Sequence, residues 1–296
     1  MKIIPQNDIL CNTFGEIDWC KIEIAGNLAI KTTSTTTNKK PVCRKISKNN
    51  YVFLPTGEIH QYKIKNRENG DEILRTKQSI YKTMRDLKLR VCANFCGNQD
   101  ELFVTLTYAK NMTDTTKLKT DFNAFIKRLQ YHYRDKYTFG YISICEPQER
   151  GAWHIHMFLK CTDITGINRD RAYIPNETMQ SLWRHGYTKT ESIKFDGIVN
   201  YFNTSYFAPQ SSDDGGNGKS AEKYERLRYF PKNFKWYRCS TNMKKPDKSL
   251  KTYDQAEKFL EHLGFICQNT DNFTIYDDNA EREICRVERK KYEKRK

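Results

Sequence analysis

FGYISICEPQERGAWHIHMFLK, residues 139–160, is the stretch on which the reading of this chain turns. Two strand-like runs, Phe139–Glu146 and Ala152–Lys160, flank Pro147-Gln148-Glu149-Arg150-Gly151, which has the composition of a turn. That is the pattern of a β-hairpin. Side chains on a strand alternate faces, so His154 and His156 project one way while Trp153, Ile155 and Met157 point the other way. If the hairpin closes around residue 150, Glu146 falls opposite His154 on the same face. Two imidazoles and a carboxylate gathered there could grip one divalent cation and leave positions open for substrate oxygens. A His-x-His pair alone is weak, because most such pairs are surface residues or satisfied core imidazoles; the upstream glutamate adds the weight. Bound Mg²⁺ or Mn²⁺ would polarise a phosphodiester, with either water or a side-chain hydroxyl as the attacking group.

The neighbouring sequence extends this hairpin into a sheet with helices. ELFVTLTYA (101–109) reads as a central strand, and Asp114 precedes a helix over 115–135 whose Leu118, Phe122, Phe125, Leu129 and Tyr133 form one apolar stripe. Asn176 is expected to cap a short helix that stops at Gly186, and YTKTESI (187–193) reads as a strand. A helix over 198–207 carries Tyr201 and Tyr206, from which a phenol could face the cation. Upstream, YVFLPTGEIHQYKI (51–64) predicts a hairpin turning at Pro55-Thr56-Gly57, followed by a helix at 71–94. Downstream, Phe230, Lys232, Phe234, Lys235, Trp236, Tyr237 and Arg238 interleave aromatics with cations. Such a tract either stacks bases and pairs phosphates or is a strand with one apolar and one basic face. A helix near 252–263 and a short strand follow. The tail RVERKKYEKRK reads as a nucleic-acid arm or a solubilising end. The expected divisions are an N-terminal extension (1–95), a central core (96–209), a linker (210–226) and a basic, aromatic C-terminal segment (227–296).

Composition narrows the setting. Lys and Arg total 51 against 36 Asp and Glu, a net charge of +15 over 296 residues, which suits a phosphate-backbone partner. No long apolar run or signal-peptide pattern occurs, so a cytoplasmic protein without a membrane partner is expected. The ten cysteines lack the paired spacing of a zinc knuckle and read as free thiols. His60, His132, His185 and His262 have no sequence partners and receive no role.

FVTLTY (103–108), then EPQERGAWHIH (146–156), then a tyrosine-bearing helix resembles the three motifs of the HUH endonuclease superfamily. The similarity is greatest to rolling-circle replication initiators of plasmids, phages and integrated elements of Gram-positive bacteria. Glu146, Gln148, Arg150, Gly151, Ala152, His154 and His156 match the second motif, and YFPKNFKWYRCSTNMKKP (229–246) resembles a segment common after the nuclease motifs. The resemblance implies an α+β fold, with a central antiparallel sheet flanked by helices (an HUH or RRM-like nuclease domain) and N- and C-terminal extensions. It implies ligation of Mg²⁺ or Mn²⁺, rather than zinc, by Glu146, His154 and His156. It also implies Tyr201 as the nucleophile that takes up a 5′-phosphotyrosine link and later rejoins the strand.

The third motif departs from the family's Tyr-x-x-x-Tyr or Tyr-x-x-Lys: the sequence is Tyr201-Phe-Asn-Thr-Ser-Tyr206, and residues five apart lie about 140° apart on a helix. Either Tyr201 acts alone or Tyr206 is the nucleophile. Arg150, Lys232, Lys235, Trp236 and Arg238 are the expected DNA contacts. The expected partners are single-stranded or melted origin DNA and host polymerase. A host helicase is also expected, because no Walker glycine loop is present. A relaxase, a tyrosine transposase, a metal-dependent hydrolase and a non-catalytic origin-binding protein are the alternatives.

Overall fold

The computed structural model of the chain describes residues 3–5, 19–35, 43–61, 72–148, 151–166, 172–193, 229–231, 234–276 and 283–294. In chain order the strands before the first helix are β1 (Ile3–Pro5), β2 (Cys20–Ala25), β3 (Leu28–Ser34), β4 (Cys43–Lys45), β5 (Asn50–Phe53) and β6 (Glu58–Gln61). Helix α1 (Glu72–Cys92), β7 (Glu101–Thr107), α2 (Thr115–His132), β8 (Tyr137–Pro147), β9 (Trp153–Asp163), α3 (Asn176–Trp183) and β10 (Thr188–Ser192) follow. The last elements are β11 (Tyr237–Cys239), β12 (Asp247–Lys251), α4 (Tyr253–His262), β13 (Phe265–Tyr276) and β14 (Glu283–Lys294). The fold is α+β, its sheets antiparallel. Two compact units divide it: Thr83–Lys245, and the segments Met1–Lys82 and Pro246–Lys296 together.

The 83–245 unit is a five-stranded sheet in the order β10-β7-β9-β8-β11. Its alternation is strict enough to give the sheet two different faces. Val104, Leu106, Ile155, Met157 and Leu159 pack with Leu118, Phe122, Phe125 and Leu129 of α2 and with Met179 and Trp183 of α3. These buried side chains each contribute about 1.5–3 kcal/mol on leaving water. Asp114 caps α2 as expected, accepting from Thr116 N (2.7 Å) and Lys117 N (3.2 Å). Asn176 does not cap α3: it is the first helical residue, and its Oδ1 instead accepts from the Thr188 hydroxyl (3.0 Å). Pro175 precedes it, and Arg184, in a left-handed conformation (φ 68°), ends the helix before Gly186 is reached. The opposite face of the sheet is covered at one end, where Phe95 packs its ring on Phe158 (centroids 5.6 Å apart). There the buried Glu101 accepts from the Cys96, Gly97 and Asn98 amides and from Lys160.

The other unit is a six-stranded sheet, β1-β13-β14-β3-β2-β12, with Ala256 and Leu260 of α4 packed on Ile22, Ala29 and Tyr292. A separate three-stranded sheet, β4-β5-β6, contains the 51–61 hairpin, with Gly57 at φ 75° and its N–H donating to Phe53 O. The basic tail corrects the sequence reading. Residues 283–294 are an interior strand, paired with β13 on one side and β3 on the other, with Cys285, Val287 and Tyr292 buried. Its cations are matched by carboxylates: Arg286 pairs with Glu283 and Lys291 with Glu293 along the strand, and Lys290, like the fully buried Lys31 of β3, bonds Glu257 of α4. The strand after α4, expected to be short, is β13, twelve residues long.

Candidate metal centre

The β8–β9 hairpin places the three candidate ligands. Gln148 N donates to Ala152 O (2.7 Å) and Gly151 N to Gln148 O (2.8 Å), closing the turn with Gly151 at φ 80°. That turn fixes the register, and Glu146 pairs directly with His154 while Ile144 pairs with His156. Glu146, His154 and His156 therefore share the sheet face opposite the α2–α3 core, each offering one ligand atom within 4.8 Å of the others. His154 Nε2 lies 3.4 Å and His156 Nε2 3.5 Å from the same oxygen, Glu146 Oε2. The Glu146 side chain is 7% exposed and each imidazole 16%, so the cluster is sheltered yet reachable.

These separations test whether one cation fits. Ligand atoms each about 2.1 Å from an ion, at angles between octahedral and tetrahedral, lie about 3.0–3.5 Å apart. Both nitrogen–oxygen distances fall in that range. The ring nitrogens that face away are also engaged: His156 Nδ1 is 3.1 Å from the Thr105 hydroxyl, and His154 Nδ1 is 3.3 Å from the Gln148 side-chain amide. Phe103 stacks on His156, centroids 5.4 Å apart and planes 14° from parallel. Metal-binding histidines are characteristically held this way through the nitrogen that does not coordinate. Neither Thr105 nor Phe103 was singled out as a site residue in the sequence. The signal was the alternation Phe103-x-Thr105-x-Thr107, but only the β7–β9 register, which pairs Thr105 with His156 and Thr107 with His154, gives it meaning.

Residues 101–210 match the family model of the replication-associated protein ORF2. The match covers about a third of the chain, includes all of the cluster, and is consistent with a replication initiator. No curated protein and no solved structure matches the chain. Within the matched segment, Tyr201, Tyr206 and Arg150 lie outside the described residues, as does Lys232 beyond it.

The remaining candidates are separated by the sheet itself. Trp236 stacks on Phe230 (centroids 3.9 Å, planes 7° apart), and Phe230 and Phe234 pack against Trp153 on the helical side. Arg238 pairs with Ser143, again on the face away from Glu146. Burial there pushes the Cys145 thiol up to about 12 despite the nearby Arg238 guanidinium. Cys145 N donates to Trp236 O, which extends the β11–β8 pairing and puts the exposed Lys235 on the Glu146 side by alternation. At the other edge, Thr107 N donates to Tyr187 O, and Tyr187 is 76% exposed. Thr188 faces α3, so its neighbour Tyr187 falls on the cluster side. Tyr237, across from Ile144, also shares this face, but burial raises its phenol above the ordinary value.

Proposed function

We propose that this chain initiates rolling-circle replication by nicking single-stranded or melted origin DNA and holding the new 5′ end on a tyrosine. One observation carries the reading: Glu146, His154 and His156 converge on one point of a sheet face, inside a segment similar to replication-associated proteins. The three side chains would hold Mg²⁺ or Mn²⁺. The cation would set positive charge against a non-bridging phosphate oxygen and stabilise charge developing in the transition state.

Tyr201 is the proposed attacking group. Its oxygen forms a bond to phosphorus as the P–O3′ bond breaks, and the phenolic proton is accounted for on the released 3′ hydroxyl. The ester so stored permits rejoining by the reverse exchange. The strand would run across the sheet, with a base on the exposed Tyr187 at one side and phosphate charge near Lys235 at the other. Arg150 and Lys232 are proposed as further phosphate contacts.

The test incubates labelled single-stranded origin DNA with the full chain and Mn²⁺. The expected product is a covalent protein–DNA adduct that survives denaturant and is lost in Tyr201→Phe and in His154→Ala. Loss only in Tyr206→Phe would move the nucleophile to Tyr206. Nicked DNA without an adduct would replace tyrosine attack by hydrolysis, and no cleavage at all would sink the proposal.

A further inference from the structure

His154 and His156 look equivalent in sequence but are held differently. The Gln148 amide that meets His154 sits in the hairpin turn, whereas the Thr105 hydroxyl that meets His156 comes from β7, an interior strand paired on both sides. Phe103, two residues before Thr105 on the same face, lies flat against the His156 ring. The hydroxyl fixes rotation of the imidazole about its long axis, and the aromatic ring fixes its plane. Together they leave Nε2 aimed at Glu146 Oε2, 3.5 Å away.

We infer that Thr105 is a positioning residue for the cation site: through Nδ1 it holds His156 in the orientation that presents Nε2 to the metal. This inference rests on the cation-binding reading of the cluster. Its chemistry is specific to a hydroxyl. When Nε2 coordinates a cation the imidazole proton resides on Nδ1, and Thr105 Oγ1 accepts it. When Nε2–H instead donates to Glu146, the same hydroxyl rotates and donates to Nδ1. One side chain thus serves both tautomers without moving its neighbours. A valine of the same shape serves neither.

The test measures Mn²⁺ affinity of the full chain by titration calorimetry, with thermal unfolding in EDTA as the check on folding. Thr105→Val is expected to weaken Mn²⁺ about 10–100-fold, the usual effect of removing such an orienting partner. Thr105→Ser is expected to restore it to within about threefold, which a purely structural role of the threonine methyl would not do. Thr105→Ala, with the hydroxyl removed and the volume reduced, is expected to follow the valine variant and covers the case in which valine folds poorly. If His156→Ala abolishes binding but Thr105→Val and Thr105→Ala bind as the parent does, the positioning role is overturned and the cation site stands. If His156→Ala binds Mn²⁺ unchanged, the cation site falls and this inference falls with it.

Discussion

Lys31 and Lys290 of the six-stranded sheet, with Glu257 of α4 bonded to both, can be set beside Glu146, His154 and His156 in the five-stranded one. Both groups are ionisable clusters on one face of an antiparallel sheet. The first carries both signs. Lys31 lies fully buried between Glu257 and Glu288, with its ammonium 3.5 Å from the Tyr253 ring centroid. Lys290 donates to Glu257 and Tyr253, and Tyr292 donates to Glu257 as well. Two ammoniums and two carboxylates cancel, so this cluster is complete as a structural element. The second cluster brings three electron-pair donors to a point and anchors the ring nitrogens behind them. Charge balance within a cluster separates a strut from a receptacle better than the presence of ionisable groups does.

Five measurements would break or sharpen this contrast. The largest effect is expected from Glu257→Leu. Removing one partner of a buried pair costs about 3–5 kcal/mol, and because Glu257 is 35% exposed the lower end, about 3 kcal/mol, is expected in urea unfolding. Adding Lys31→Met should recover most of it. The pH dependence has a definite sign. Burial alone would raise the Glu257 carboxyl, but hydrogen bonds from Lys31 and Lys290 outweigh it and hold it below its ordinary value. The stability it supplies is therefore fully present above about pH 4.3, the unfolded value, and is lost as pH falls through the depressed folded one. In Glu257→Gln that acid limb should disappear.

Mn²⁺ should next discriminate between the units. At a hundredfold excess over Kd it should stabilise by about 2.7 kcal/mol, read as slowed amide exchange in β7 and β9. Amides of β3 and β14 should not respond, and His156→Ala should remove the effect. Equal slowing in both sheets would erase the distinction between the clusters. Gly151→Ala should cost about 1–2 kcal/mol, because residue 151 has φ 80° and an added Cβ would lie 3.0 Å from the Tyr229 ring. Since this turn sets the Glu146–His154 pairing, Mn²⁺ affinity should fall with it. Asp114→Ala should give the smallest change, about 1 kcal/mol from the lost α2 cap, with Mn²⁺ affinity unaltered. A loss of affinity there would mean that the cluster depends on helix packing rather than on the hairpin.

The parts legible in sequence were those whose partners lie close in the chain. The hairpin register could be read from residues 139–160 because a short turn determines which residues face each other, and Glu146 does pair with His154. The α2 stripe and its Asp114 cap were equally local. Thr105 was not legible as a partner of His156, because nothing within FVTLTY states which strand lies beside it. Lys290 was misread with the tail for the same reason: a row of cations looks solvated until Glu257 is known to lie against it. The tract at 230–238 held two readings in sequence, and the packing of Phe230, Phe234 and Trp236 on Trp153 turns its aromatic side inward. Asn176 was named as a cap on composition, but Pro175 occupies that position.

The strand pairing of β14 with β3 has a consequence for biosynthesis. Arg286 N bonds the Thr35 side chain across 251 residues of chain, so the β2–β3 hairpin emerges from the ribosome long before its neighbour exists. At about 5–20 residues per second the wait is roughly 10–50 s. For that interval Ile22 and Ala29 lack the cover that α4 and Tyr292 later provide, an exposed surface for chaperones to grip. The intervening 83–245 unit, whose strands are all translated by residue 239, can finish folding within that interval.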